Sequence, residues 1–255
     1  MSERAPGGEP PPPSDPRAVS VEEVCRLLRE ADLGECELVP WGSNYTFAAP
    51  LRNRDGSSFL GIYKPHKGER PLWDFPSGLY KREVAAFQTS EALGWGLVPP
   101  TVIRSGPHGV GSLQLYVAPR EGTEYSTLQE EHHDVLRHLA LFDMIANNAD
   151  RKAGHCFLGV DGRVWGIDHG LTFHAYPKLR TVIWDFQNEP VPAGMLRDVK
   201  AFQDKLDRGD PIEKSLRELL DPEEIRSLKL RLEIILNEPV YPSPSHHRHI
   251  PWPPY

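Results

Sequence analysis

Apolar positions recur at two spacings along this chain, and the change from one to the other divides it in two. In the first half, short β-prone runs alternate with turn residues. Glu37–Trp41, Tyr45–Leu51 and Phe59–Pro65, separated by Gly42-Ser43-Asn44 and by Asn53-Arg54-Asp55-Gly56, predict three consecutive antiparallel strands. The spacing then turns helical over Tyr80–Leu93, where Val84, Ala85, Phe87, Ala92 and Leu93 are apolar and Gly94 stands as the C-cap. Val98–Ile103 and Ser112–Ala118 predict two further strands, joined across Ser105–Gly109. A short helix should precede all of these, opening on the capping-box pattern Ser20-Val21-Glu22-Glu23 and ending near Leu33-Gly34.

Pro119-Arg120-Glu121-Gly122 breaks this pattern, and beyond Tyr125 the composition becomes helical. His132–Asn147 carries a core face of Val135, Leu136, Leu139, Ala140, Phe142 and Ile145. Three helices are expected near the end, over Ala193–Leu206, Pro211–Leu220 and Pro222–Asn237. The last of them is marked by Asp221 as N-cap and a Pro at the first helical position. Between these helical stretches, Cys156–Val160 and Arg163–Ile167 flank Asp161-Gly162, a two-residue hairpin signal. That turn would set Val160 opposite Arg163, Phe157 opposite Gly166 and His155 opposite Asp168, with opposed Cβ atoms roughly 5 Å apart. Leu171–Asn188 reads as irregular chain anchored by Trp184 and Phe186. The expectation is an α+β fold of two lobes. A five-stranded antiparallel N-lobe with one helix covers residues 19–120, and a mainly helical C-lobe holding the hairpin covers 121–240. A disordered tail over residues 1–18 and a Pro- and His-rich tail over 241–255 flank them.

Composition narrows the function classes. With 255 residues, 39% hydrophobic, 25% charged and a net charge of −7, the chain is that of an ordinary globular protein; no basic stripe points to nucleic acid. Cys25, Cys36 and Cys156 form no CxxC pair, which fits a reducing compartment. No run of signal-peptide kind and no window near ~20 apolar residues occurs, so the expectation is a cytoplasmic protein without a transmembrane segment. His246-His247-Arg248-His249 lacks Cys and is poor metal-site evidence.

Taken in order, the chain reads strand, small polar turn, strand, strand ending in Lys64, helix carrying Glu83, two strands, a break, a helix, Asp150, a hairpin and Asp168. This order resembles the protein-kinase-like superfamily, closest to the phosphatidylinositol 3-/4-kinases and their atypical bacterial relatives. The resemblance implies ATP as cofactor together with Mg²⁺ or Mn²⁺, and an acceptor hydroxyl as partner. By it, Gly42, Ser43 and Asn44 stand where the phosphate-covering turn lies, and Lys64 where the strand Lys reaches the nucleotide phosphates. Glu83 stands where the helix Glu pairs with that Lys, and Gln114–Ala118, with Tyr116, where the interlobe strand meets adenine. Asp150-Arg151 looks like the catalytic-loop Asp-Arg, and Ile167-Asp168-His169-Gly170 like the metal-binding Asp-x-Gly segment. Phosphoryl transfer needs little more than a Lys, an Asp-held metal and an Asp beside the attacking hydroxyl. Lys152, Lys178 and Arg180, with Arg151, would favour an anionic acceptor.

One position departs from that family. Five residues after Asp150, where these kinases place a metal-ligating Asn, the chain has His155. Imidazole suits Mn²⁺ or Zn²⁺ better than Mg²⁺. His155 could therefore bind a transition ion, hydrogen-bond Asp168, or mark a site that binds nucleotide without turnover. Neither an HRD nor an APE triplet is present, against a conventional Ser/Thr/Tyr protein kinase. Three other readings stay open: a catalytically degenerate nucleotide-binding scaffold, adenylyl transfer on the same fold, and a metal-dependent hydrolase using His155, Asp168, His169 and His174.

Overall fold

In this computed structural model, which describes residues 19–40, 44–244 and 249–255, the chain begins with helix α1 (Val21–Glu30). The Ser20 hydroxyl caps it, accepting from the Glu23 N–H at 3.2 Å. The helix stops short of Gly34 because Asp32 and Leu33 leave it to form strand β1 (Asp32–Leu33), paired antiparallel with Arg52 and Leu51. This adds a sixth strand to the five expected.

Strand β2 (Glu37–Leu38) is shorter than the Glu37–Trp41 run predicted. Among the described residues its pairing continues to Val39, whose N–H donates to Thr46 O at 2.8 Å; Pro40 has no N–H with which to go on, and Trp41 lies outside them. Strands β3 (Phe47–Arg52), β4 (Ser58–Pro65), β5 (Thr101–Gly106) and β6 (Gly109–Leu115) complete the sheet. The order is β1-β3-β4-β6-β5, with β2 also on β3. Lys64 thus sits on an inner strand, opposite Ser112, and not on the solvated edge that is the usual place of a strand-end Lys. Gly111 lets the two strands approach there, since a Cβ on it would lie 2.4 Å from Lys64 O.

Helix α2 (Leu79–Leu93) packs on β5 and β6. The Glu69 carboxylate caps its start, accepting from the N–H groups of Gly78 at 2.8 Å and Tyr80 at 2.9 Å. On its other side α2 meets the C-terminal lobe, where Arg82 forms a buried ion pair with Glu224.

The C-terminal lobe contains α3 (Tyr125–Glu131), α4 (His133–Ala146), α5 (Ala193–Arg208), α6 (Pro211–Leu219) and α7 (Pro222–Asn237). Leu136, Leu139, Phe142, Val199, Phe202, Leu216, Leu228 and Leu232 are fully buried in one core. Each apolar side chain of that size removed from water contributes roughly 1.5–3 kcal/mol, which explains why the 3.6-residue pattern locates these helices well. The predicted tail beyond residue 240 is not frayed where described. Tyr241 is buried, its hydroxyl donates to Arg137 O at 3.0 Å, and Pro254 O accepts from the Ala153 N–H at 2.9 Å. Among the described residues, no helix is long and apolar enough to cross a membrane.

Candidate active site

The central hairpin forms, but in a register one residue away from that predicted. Strands β7 (Cys156–Leu158) and β8 (Val164–Gly166) pair Cys156 with Gly166, Phe157 with Trp165 and Leu158 with Val164. A two-residue turn would need positive φ at both Asp161 and Gly162, and only Gly162 has it, at 79°. The loop is instead three residues long, closed by the Gly159 N–H on Arg163 O at 2.8 Å and fixed by Asp161 Oδ1, which accepts from the Arg163 N–H at 3.1 Å. Shifted by one, His155 faces Ile167, whose N–H donates to His155 O at 2.9 Å.

His155 and Asp168 meet nonetheless. Asp168 adopts a left-handed φ of 60°, which an Asp tolerates better than most residues. That twist leaves the strand and brings its Oδ2 to 3.2 Å from His155 Nε2. The juxtaposition predicted from pairing is therefore produced by a backbone kink.

Lys64 reaches this point from the other lobe. Its ammonium donates to Asp168 Oδ1 at 2.8 Å and also binds Glu83 Oε1. Glu83 is buried, and its second oxygen accepts from the His169 N–H at 2.9 Å. One carboxylate on α2 thus holds both the strand Lys and the backbone beside Asp168. Burial disfavours the charge on Lys64, but Asp168 and then Glu83 outweigh it and raise its pKa. The Lys64 charge in turn holds Asp168 well below the usual carboxylate range.

Asp150 lies close by: it, His155 and Asp168 each offer one ligand atom, all within 4.8 Å of one another. Burial pushes the Asp150 carboxyl up to about 6, against the pull of Lys152, whose Nζ is 3.6 Å away. A carboxylate poised there can accept a proton near neutral pH.

Arg151 occupies a place different from that expected of a catalytic-loop Arg. It is fully buried behind the cleft, with Nη2 2.9 Å from Asp143 Oδ1 and Nε 3.0 Å from Asp143 Oδ2. Its Nη1 donates to Ile167 O at 3.1 Å and His155 O at 3.3 Å, and its Nη2 lies 2.7 Å from His169 Nε2. Arg151 therefore fastens both hairpin strands from the rear. Asp143 and Asn148, whose Nδ2 donates to Asp143 Oδ1 at 2.9 Å, complete this clamp and were not singled out from sequence. The available signal was a charged residue inside the apolar run Leu141-Phe142-Asp143-Met144.

Asn44, Lys64, Glu83, Gln114, Tyr116, Asp150, His155 and Asp168 line one interlobe cleft of about 860 Å³. Asn44 Oδ1 accepts from the Arg70 N–H at 2.9 Å, and Gln114 Nε2 donates to Thr101 Oγ1 at 2.9 Å. Gly42, Ser43, His246 and His247 lie outside the described residues. Thr123, Glu124, Tyr125 and Gln129 also line this cleft, which the sequence did not reveal. The four residues of the hydrolase reading do not converge. His169 is buried against Arg151, and His174 Nδ1 accepts from the Tyr176 N–H at 3.0 Å beside the Phe75 ring. Lys178, expected to favour an anionic acceptor, is paired with Asp74 at 2.8 Å.

Comparison with known proteins places this geometry. No family model matches the chain. Protein Rv2133c of Mycobacterium tuberculosis is 40% identical to it over 228 residues, covering 75% of this chain and 81% of that protein. Among solved structures, the Golgi casein kinase aligns over 85% of this chain and 74% of its own, at 13% identity and a TM-score of 0.51, and has also been solved with Mn and ADP bound. Fam20 of hydra, solved with sugar, aligns over 85% of this chain and 87% of its own, at 13% identity and a TM-score of 0.53. At such identity these likenesses concern the fold, which is two-lobed and protein-kinase-like.

Proposed function

Since the chain belongs to the family of protein Rv2133c of Mycobacterium tuberculosis, and since its fold is kinase-like, we propose that it is an ATP- and metal-dependent phosphotransferase related to the phosphatidylinositol 3-/4-kinase branch, acting on an acceptor hydroxyl. The observation that carries this reading is Lys64 bridging Glu83 and Asp168 across the cleft. A catalytic lysine needs such a frame, because a free Lys on a flexible stem holds no single position against a phosphate.

In this reading Gln114 and Tyr116 flank the adenine, and Lys64 binds the phosphates with its ammonium fixed by Glu83. Asn44, which lines the cleft, would cover those phosphates from the N-lobe side; Gly42 and Ser43, given the same role by the resemblance, lie outside the described residues. Asp168 and His155 are the groups that would hold a divalent ion, and both fit one: they offer a carboxylate oxygen and an imidazole nitrogen 3.2 Å apart. When bound, that ion neutralises phosphate charge. Asp150 takes the proton of the attacking hydroxyl as the bond from the γ-phosphorus to its bridging oxygen breaks, leaving ADP and a phosphorylated acceptor. The Golgi casein kinase solved with Mn and ADP bound is a fold neighbour consistent with this cofactor pair.

The test is to incubate the protein with γ-labelled ATP, Mn²⁺ or Mg²⁺, and a panel of phosphoinositides, polar metabolites and proteins. Label transfer is expected, and Asp150→Asn should lower it by about a hundredfold or more while leaving nucleotide affinity nearly unchanged. Nucleotide binding without any transfer or ADP release would favour the scaffold reading, which His155 at the Asn position motivates. Mass spectrometry of the product separates phosphoryl from adenylyl transfer.

A further inference from the structure

The hydrogen bonds of His155 decide which of its nitrogens is free. Its Nδ1 lies 2.9 Å from Asp150 O, and a carbonyl can only accept, so Nδ1 carries the proton. The Lys152 N–H at 3.4 Å from the same nitrogen is too long to compete. Nε2 of a neutral ring is then a lone pair, and it is aimed at Asp168 Oδ2 from 3.2 Å. Two acceptors facing each other at that distance repel unless a proton or a metal cation joins them.

The separation suits a metal. Adjacent ligands on an octahedral ion with bonds of roughly 2.1 Å lie about 3 Å apart. The other Asp168 oxygen is already taken by Lys64, so Oδ2 is the one left to face the ring. The backbone carbonyl of Asp150 behind Nδ1 is the kind of support that orients a metal-binding imidazole.

We propose that His155 is a direct metal ligand through Nε2, together with Asp168 Oδ2, and that this nitrogen makes the site select Mn²⁺ over Mg²⁺. The inference takes its site from the phosphotransferase reading, but it concerns metal recognition and can be tested without turnover. Mg²⁺ is a hard ion that prefers oxygen, whereas imidazole is a good ligand for first-row transition ions. An Asn in place of His155 would supply an amide oxygen and remove that discrimination.

The experiment is electron spin-echo spectroscopy on the full chain loaded with Mn²⁺, alone and with ADP, alongside calorimetric titration with Mn²⁺ and with Mg²⁺. Wild-type protein should show nitrogen modulation on the manganese, which ¹⁵N-histidine labelling converts to the ¹⁵N pattern. His155→Asn should abolish it, weaken Mn²⁺ binding by about tenfold and leave Mg²⁺ binding the same or stronger. His155→Gln, with melting temperature measured without metal, controls for misfolding and should behave alike. Manganese without histidine nitrogen coupling, or Mn²⁺ affinity unchanged in both folded variants, would overturn the proposal, as expected if His155 is only an imidazolium paired with Asp168. Histidine-coupled manganese with no ADP formed would leave this inference standing and sink the phosphotransferase reading alone.

Discussion

Asp168→Asn is expected to reduce ATP turnover by roughly a thousandfold, the scale of removing a preorganised charge from a phosphoryl-transfer site. The carboxylate is the meeting point of the cleft, with Lys64 on one oxygen and His155 beside the other. Asn has nearly the same shape and tolerates the left-handed φ of 60° at this position, so the kink that aims the side chain should survive. The side chain is also half-exposed, so no buried charge is stranded in the core. ADP release with Mn²⁺ or Mg²⁺, measured beside a melting curve, checks both halves: activity should vanish while the melting temperature moves little. Turnover within a few-fold of wild type would remove Asp168 from the chemistry.

The largest expected effect on stability is at Arg151. Arg151→Met leaves Asp143 buried, with the Asn148 and Thr181 side chains as its remaining side-chain partners among the described residues, and removes the guanidinium that ties the carbonyls of His155 and Ile167 together. Breaking one side of a fully buried ion pair costs about 3–5 kcal/mol. For a domain of this size that corresponds to a fall on the order of 10 °C in melting temperature. Denaturant unfolding should show the loss as a lower midpoint. Replacing Asp143 by Leu in the same chain should recover much of it, because the stranded charge is then gone. Arg151→Met at wild-type stability would mean that the clamp does not hold the hairpin.

Apart from α3 (Tyr125–Glu131), which was not separated from the helix after it, the helices were legible in the sequence because each carries its own evidence. α5, α6 and α7 begin within the residues predicted, and Asp221 and Glu224 cap α7 reciprocally. Strand β1 was hidden because two residues carry no periodicity, and its pairing with Arg52 and Leu51 is a tertiary event. The order from Lys64 through Glu83 and Asp150 to Asp168 could be read because each residue closes, follows or, for Glu83, lies within an element the pattern reveals. The hairpin register could not, since Asp-Gly serves both a two-residue loop and the last part of a three-residue one. Only the φ of Gly162 and of Asp168 decides how His155 and Asp168 meet. Arg151 illustrates the remaining gap. The dipeptide Asp150-Arg151 marks the loop, yet the two side chains part, Asp150 lining the cleft and Arg151 entering the core behind it.

The central claim, that this cleft binds a metal–nucleotide pair through Lys64 and Asp168, is tested most directly by equilibrium titration of ATP in the presence of Mn²⁺. Wild-type protein should bind one ATP per chain in a metal-dependent way, and Lys64→Met should weaken that binding by about tenfold or more. No ATP binding with any divalent ion, or equal affinity in wild type and Lys64→Met, would contradict it.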